Sequence, residues 1–177
     1  MPRAASHTGW FVSETSVRVA PDVGARGSDW VTSQAAQIDP RLVPYFVIPS
    51  GFRAQPWDAT PGDAGVVLDA GSNRSAFFVV GDTGGALDEA SLALHIALRG
   101  GGLPPQTRKI SALGELVTKF SGGTPGKFLI AIFRHTSTKH AATLTLTAKD
   151  LPQWIETTSQ AKIATIGGLD RIRACAQ

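Results

Sequence analysis

Two carboxylates, Asp82 and Glu89, stand seven positions apart in the segment Phe77–Ser91. The first closes an apolar run, Phe77–Val80, and is followed by Thr83, Gly84 and Gly85. A carboxyl group at the end of a buried strand lies at the mouth of a fold, and glycines beside it let a ligand come close to the backbone. A strand–turn–helix connection can bring two such groups within about 5–10 Å, the range over which glycosidases hold an acid and its partner carboxylate. One of the two must keep its proton. The apolar run before Asp82 favours that, because desolvation penalises the charged carboxylate. The same residues also fit a simpler role, with Asp82 capping a turn and Glu89, beside Asp88, as an acid of a first helical turn. Spacing alone does not choose between the two.

Around the pair, Thr83 and Ser91 have hydroxyls able to hydrogen-bond a sugar or orient a carboxylate, and Gly84 leaves room for a ligand. Trp57 offers an aromatic face for a sugar ring, while Tyr45, inside an apolar run, suits core packing better. Four histidines are present, His7, His95, His135 and His140. His135 and His140 are five apart with no Cys or carboxylate at ligand spacing, so no metal site is expected. His95 reads as an ordinary helix residue. Cys175, the single cysteine, permits no disulfide within the chain and is a poor nucleophile candidate.

The elements that must position these groups are mostly strands. Leu42–Pro49, Ala64–Leu68, Ser75–Val80 and Lys127–Phe133 are short, apolar and rich in β-branched or aromatic residues, and Thr143–Thr147 alternates strictly. Asp69–Arg74 reads as a hairpin turn. From Leu87 the period becomes helical, with Leu87, Ala90, Leu94 and Leu98 on one stripe and the Gly100–Gly102 run as the stop. A second helix is expected over Ser111–Phe120, and a partly helical tail after a cap at Asp150. Residues 1–40 are polar and Gly-rich and read as an irregular N-terminal segment with one short strand at Ser16–Ala20. Residues 41–177 then form a single catalytic domain. The fold class is mostly β with a few helices, α+β.

Composition agrees with one globular unit. The 177 residues are 42% hydrophobic, enough for a core, with 19 glycines and 11 prolines set between the apolar runs. The net charge of +3 comes from scattered residues such as Arg18, Arg26, Arg41 and Arg74, without basic runs or interleaved aromatics, which argues against nucleic acid as a partner. No segment approaches the roughly 18 apolar residues of a membrane span. The N-terminus has no apolar stretch of the kind a secretory signal peptide needs, so action outside the cell would call for another export route. No phosphate-binding loop follows the glycine runs. No cofactor is expected, and oligomeric state is not legible.

The ordered set Val43–Pro49, Gly62–Val67, Ala76–Gly84, Glu89–Ser91, Phe128–Phe133 and His140–Leu144 resembles the glycoside hydrolase family 75 chitosanases over roughly residues 42–145. That resemblance implies a six-stranded double-psi β-barrel-like core and an inverting hydrolase of β-1,4-linked amino-sugar polysaccharide. It maps the essential acids onto Asp82 and Glu89, and it makes His140, in the family-like stretch, a structural residue or a partner of an active-site acid at the substrate site. The sequence departs from the family in having Gly85 where proline is usual, Asp88 where glycine precedes the Glu, and a shorter spacer between the acids.

The stretch Asp82–Leu87 is also similar to a motif of double-psi lytic transglycosylases and three-aspartate domains, which cleave peptidoglycan with the first Asp as acid/base. This implies an alternative reading, a peptidoglycan-cleaving enzyme such as an exported antibacterial effector. A further alternative is a non-catalytic glycan-binding barrel, as in expansin-like domains. The trio Asp82–Gly84 resembles the aspartic protease signature as well, but those enzymes need two such loops and this chain has one. The polysaccharide is thus the expected partner, with Asp82 as general acid and Glu89 as base.

Overall fold

The computed structural model describes residues 3–12, 42–54, 58–69, 71–84, 87, 89–101, 106–110, 116–120, 124–136 and 150–174. Eight strands and three helices lie among them: β1 (Arg3–Val12), β2 (Tyr45–Pro49), β3 (Ala64–Asp69), β4 (Ser75–Gly84), β5 (Glu89–Ala90), α1 (Leu92–Leu98), β6 (Gln106–Ile110), β7 (Leu116–Phe120), β8 (Thr124–Phe133), α2 (Leu151–Thr165) and α3 (Leu169–Ala174). The class is α+β, as the sequence leads one to expect.

Five long strands form one mixed sheet in the order β2-β4-β3-β8-β1. Only β2 and β4 are parallel within it; β3 is antiparallel to both β4 and β8, and β8 to β1. The two edge strands, β1 and β2, are joined by β5. This two-residue strand pairs in parallel with β1 (Phe11 with Glu89, Val12 with Ala90) and antiparallel with β2 through one pair, Phe46 with Ala90. The ring of pairings therefore closes on its shortest member.

Alternation along each strand explains why the sequence runs read as continuously apolar: both faces are covered. The inner face gathers Phe46, Ile48, Val67, Ala76, Phe78, Val80, Phe128, Ile130 and Ile132, with Leu94 and Leu98 of α1. Phe46 and Phe78 meet with ring centroids 5.4 Å apart, tilted by 49°. Each fully buried side chain of this size contributes about 1.5–3 kcal/mol. The outer face is covered by the C-terminal helices. Leu151 and Ile155 of α2 pack on Val43, Tyr45, Val47 and Val79. Farther along, Ile163 of α2 and Ile172 of α3 pack on Val66, Leu68, Leu129 and Phe133. The Ser159 hydroxyl, fully buried, donates to the Gly65 carbonyl at 3.2 Å and ties α2 to β3.

The turn between β3 and β4 is held by Asp69, whose carboxylate accepts from the Gly71 amide at 2.8 Å and from the Ser72 hydroxyl. Helix α1 ends with the Gly101 amide bonded to the Ile96 carbonyl at 2.8 Å, and Gly100 takes a φ of 72°, a conformation that favours glycine.

Four expectations need correction. The N-terminal segment is not irregular throughout, since Arg3–Val12 is a ten-residue strand whose backbone finds its partners in distant β8 and β5. Its polar, mixed composition hid a strand that long-range pairing stabilises. The helix expected over Ser111–Phe120 is instead, over Leu116–Phe120, a strand paired with Gln106–Ile110 in a two-stranded antiparallel sheet. The β-branched Val117 and Thr118 fit that outcome. The helix expected from Leu87 starts only at Leu92, because Glu89 and Ala90 are used as strand. Strand β4 continues past Val80 to Gly84. The tail is helical, although Asp150 stands at the α2 N-cap without a side-chain cap bond. The strands expected at Ser16–Ala20 and Thr143–Thr147 lie outside the described residues.

Candidate active site

The register between β2 and β4 places Asp82. Tyr45 pairs with Val79 and Phe46 with Val80, but Val47 pairs with Asp82, so Gly81 is an extra residue in β4. Such a bulge reverses the alternation beyond it. Without it, Asp82 would follow Phe78 and Val80 onto the inner face. With it, Asp82 and Gly84 share the outer side with Val47, while Thr83 falls opposite, in register with inner-face Ile48. Gly81 has no alternative at this point, because a Cβ there would lie 2.7 Å from both Cβ and Cγ of Tyr45.

Glu89 arrives on the same side from β5. Its neighbour Ala90 is buried in the inner cluster, so alternation turns Glu89 outward. A Cβ on Gly84 would lie 3.7 Å from Glu89 Oε2 and 2.9 Å from Val47 Cγ1. The Glu89 carboxylate therefore stands over Gly84, two residues from Asp82 along β4.

Asp82 senses the charge of Glu89. Burial raises the Asp82 pKa above its ordinary 3.8, the negative charge of Glu89 raises it further, and a hydrogen bond from the Thr83 amide opposes both. A carboxyl group that is half-buried and next to a second carboxylate holds its proton to higher pH. This pairing is what acid–base chemistry needs: one carboxyl able to donate, and another on the same face able to accept or to stabilise positive charge.

Ser91 takes the plainer of its two roles, that of a helix cap. It is fully buried at the N-cap of α1, and its Oγ accepts from the Tyr45 amide at 2.8 Å and from the Leu94 amide at 3.3 Å. A hydroxyl so engaged holds the chain beside Glu89 and does not meet a ligand. Because Ser91 is the cap, α1 has no acidic residue in its first turn, and the simpler role foreseen for Glu89 as a helix-dipole acid falls away. Gly84 lies in the site. Thr83 contributes its amide to Asp82, while its side chain belongs to the opposite face. Trp57 and His140, with Asp88 and Gly85, lie outside the described residues. His95 is fully buried on α1.

Two participants escaped the sequence reading. Tyr45, read as core and indeed buried, also touches both halves of the site through Gly81 and Ser91. Gly81 is the bulge, and a single glycine inside an apolar strand run was the sign of it. His135 stands 3.4 Å from Asp58, and both residues have positive φ. Among the described residues no three of His, Cys, Asp and Glu gather as metal ligands, and no helix is long and apolar enough to cross a membrane.

Compared with known proteins, the chain matches no family model and no curated sequence.

Proposed function

We propose that the protein is a glycoside hydrolase acting on a β-1,4-linked amino-sugar polysaccharide of the chitosan type, with Asp82 as general acid and Glu89 as base. The observation that carries this reading is the pair itself: two carboxylates on one face, Asp82 turned there by the bulge and Glu89 by alternation along β5, with the Asp82 pKa raised by burial and by Glu89. In the reaction, the Asp82 proton goes to the glycosidic oxygen as its bond to the anomeric carbon breaks. Glu89 takes a proton from the water whose oxygen bonds to that carbon from the opposite side. The open backbone at Gly84 admits the sugar between them. Thr83 contributes through its amide, and Trp57 and His140 remain candidates for sugar contact. The closed ring of six strands, with its mixed pairing, supports a double-psi β-barrel-like core as the finer description of the fold.

A second reading is favoured by charge. The +3 net charge suits an anionic polymer better than polycationic chitosan, so peptidoglycan is the alternative substrate on the same pair.

Reducing-end release from chitosan and from purified peptidoglycan separates the two, with Asp82→Asn as control. Release from chitosan that Asp82→Asn abolishes, with an α-anomer as first product, supports the inverting hydrolase. Release of anhydro-muropeptides supports the alternative. Full activity of Asp82→Asn on either polymer sinks both, and binding without release leaves a non-catalytic glycan module.

A further inference from the structure

Glu89 sits on the least supported strand of the ring. Strand β5 has two residues, and its register with β2 consists of the single pair Phe46–Ala90. What reinforces that link is Ser91. Its amide donates to the Tyr45 carbonyl at 2.9 Å, and its Oγ accepts from the Tyr45 amide at 2.8 Å, so the two residues grip each other in both directions. The same Oγ receives the Leu94 amide and starts α1, giving the chain after Glu89 a fixed exit. On its other side Tyr45 is the surface against which the Gly81 bulge rests, and Asp82 is the next residue. Tyr45 is thus one rigid body shared by the strand carrying Asp82 and the strand carrying Glu89. Both Ser91 and Tyr45 are fully buried, so water does not substitute for either bond.

We infer that Ser91 is a positioning residue: by clamping Tyr45 it fixes the Glu89 carboxylate relative to Asp82. This rests on the reading of Asp82 and Glu89 as the working pair, yet it is tested without substrate. The readout is the titration of the Asp82 carboxyl followed by carbon-13 NMR in the full chain. Glu89→Gln removes the neighbouring charge and is expected to lower the Asp82 midpoint. Ser91→Ala is expected to lower it as well, through displacement of Glu89, and the double variant Glu89→Gln/Ser91→Ala to add nothing beyond Glu89→Gln. Ser91→Thr keeps the hydroxyl and should restore the parent midpoint. If Ser91→Ala does not fold, Ser91→Gly serves in its place, since glycine is tolerated at an N-cap while the acceptor for Tyr45 is still lost.

An Asp82 midpoint in folded Ser91→Ala or Ser91→Gly equal to the parent's, with the Glu89→Gln response intact, overturns the inference whether or not the protein cleaves glycan. Conversely, a parent that releases no sugar overturns the functional reading while the titrations still report on Ser91. On an active substrate, the same variants should lose kcat by about 10²-fold, the cost of a displacement near 1 Å, with KM little changed. A change in KM alone counts against positioning.

Discussion

Asp82 is held where its charge is unwelcome, and this has a consequence for stability as well as for chemistry. A carboxyl whose pKa is raised on folding binds its proton more tightly in the folded chain than in the unfolded one. The folded state is then favoured fully below the unfolded value of 3.8, and that advantage is lost as pH rises through the higher folded value. Above that folded value the ionised Asp82 is a net burden. Asp82→Asn should therefore melt at a higher temperature than the parent on the alkaline side of the Asp82 titration, with the gap closing below pH 3.8, as followed by circular dichroism. The same substitution is expected to cut glycan cleavage by about 10²–10⁴-fold, the usual worth of a positioned general acid. More activity-dependent still is the pH profile: cleavage should fall on the alkaline side as Asp82 gives up its proton.

At the scale of elements, the site depends on one extra residue in β4. Gly81→Ala pushes a methyl into the Cβ and Cγ of Tyr45, atoms close to the backbone that have little freedom to retreat. Overpacking of this kind costs about 1–3 kcal/mol, measurable by urea unfolding. Deleting Gly81 is a sharper experiment, because it removes the bulge yet leaves Val80 against Phe46 and Asp82 against Val47, so Asp82 keeps the outer face. Cleavage that survives the deletion shows that the face Asp82 takes matters and the bulge itself does not. Little of this was legible beforehand. Apolar runs at Leu42–Pro49, Ala64–Leu68, Ser75–Val80 and Lys127–Phe133 announced themselves by composition. In contrast, Glu89–Ala90 carries no strand pattern, and its role follows from being the piece that bridges two sheet edges. Leu116–Phe120 shows the converse error, a segment able to take a helical period whose partner strand Gln106–Ile110 decides the outcome.

For the whole molecule, the C-terminal helices are part of the core and not an appendage. Helix α2 alone places Leu151, Ile155 and Ile163 on the outer face of the sheet, and Ile155 is 1% exposed. Ile155→Ala should destabilise the fold by about 2–5 kcal/mol, the range for such truncations in a packed core. Removing residues 150–177 altogether would bare Val43, Tyr45, Val79, Val66, Leu68 and Phe133 to solvent. The shortened chain is expected to be insoluble or to bind a hydrophobic dye strongly, whereas a soluble, cooperatively melting product would show that the sheet stands without its cover. The outer cover also bears on the site, because Val47, the residue beside Asp82 in the register, belongs to the same apolar cluster as Leu151 and Ile155.

Local chemistry, which a sequence carries in full, determined the α+β class, the principal apolar strands, the hairpin turn at Asp69, the glycine stop of α1 and the interest of Asp82 and Glu89. Those properties rest on neighbours a few positions apart. Which face Asp82 takes, why Glu89 is a strand residue and not a helix acid, and why Ser91 is buried against Tyr45 were decided only by tertiary structure. The reason is that each depends on a register between distant segments: Val47 against Asp82, Ala90 against Phe46, and Ser91 against Tyr45. A shift of one residue in any of them turns the group it governs to the other side of the sheet.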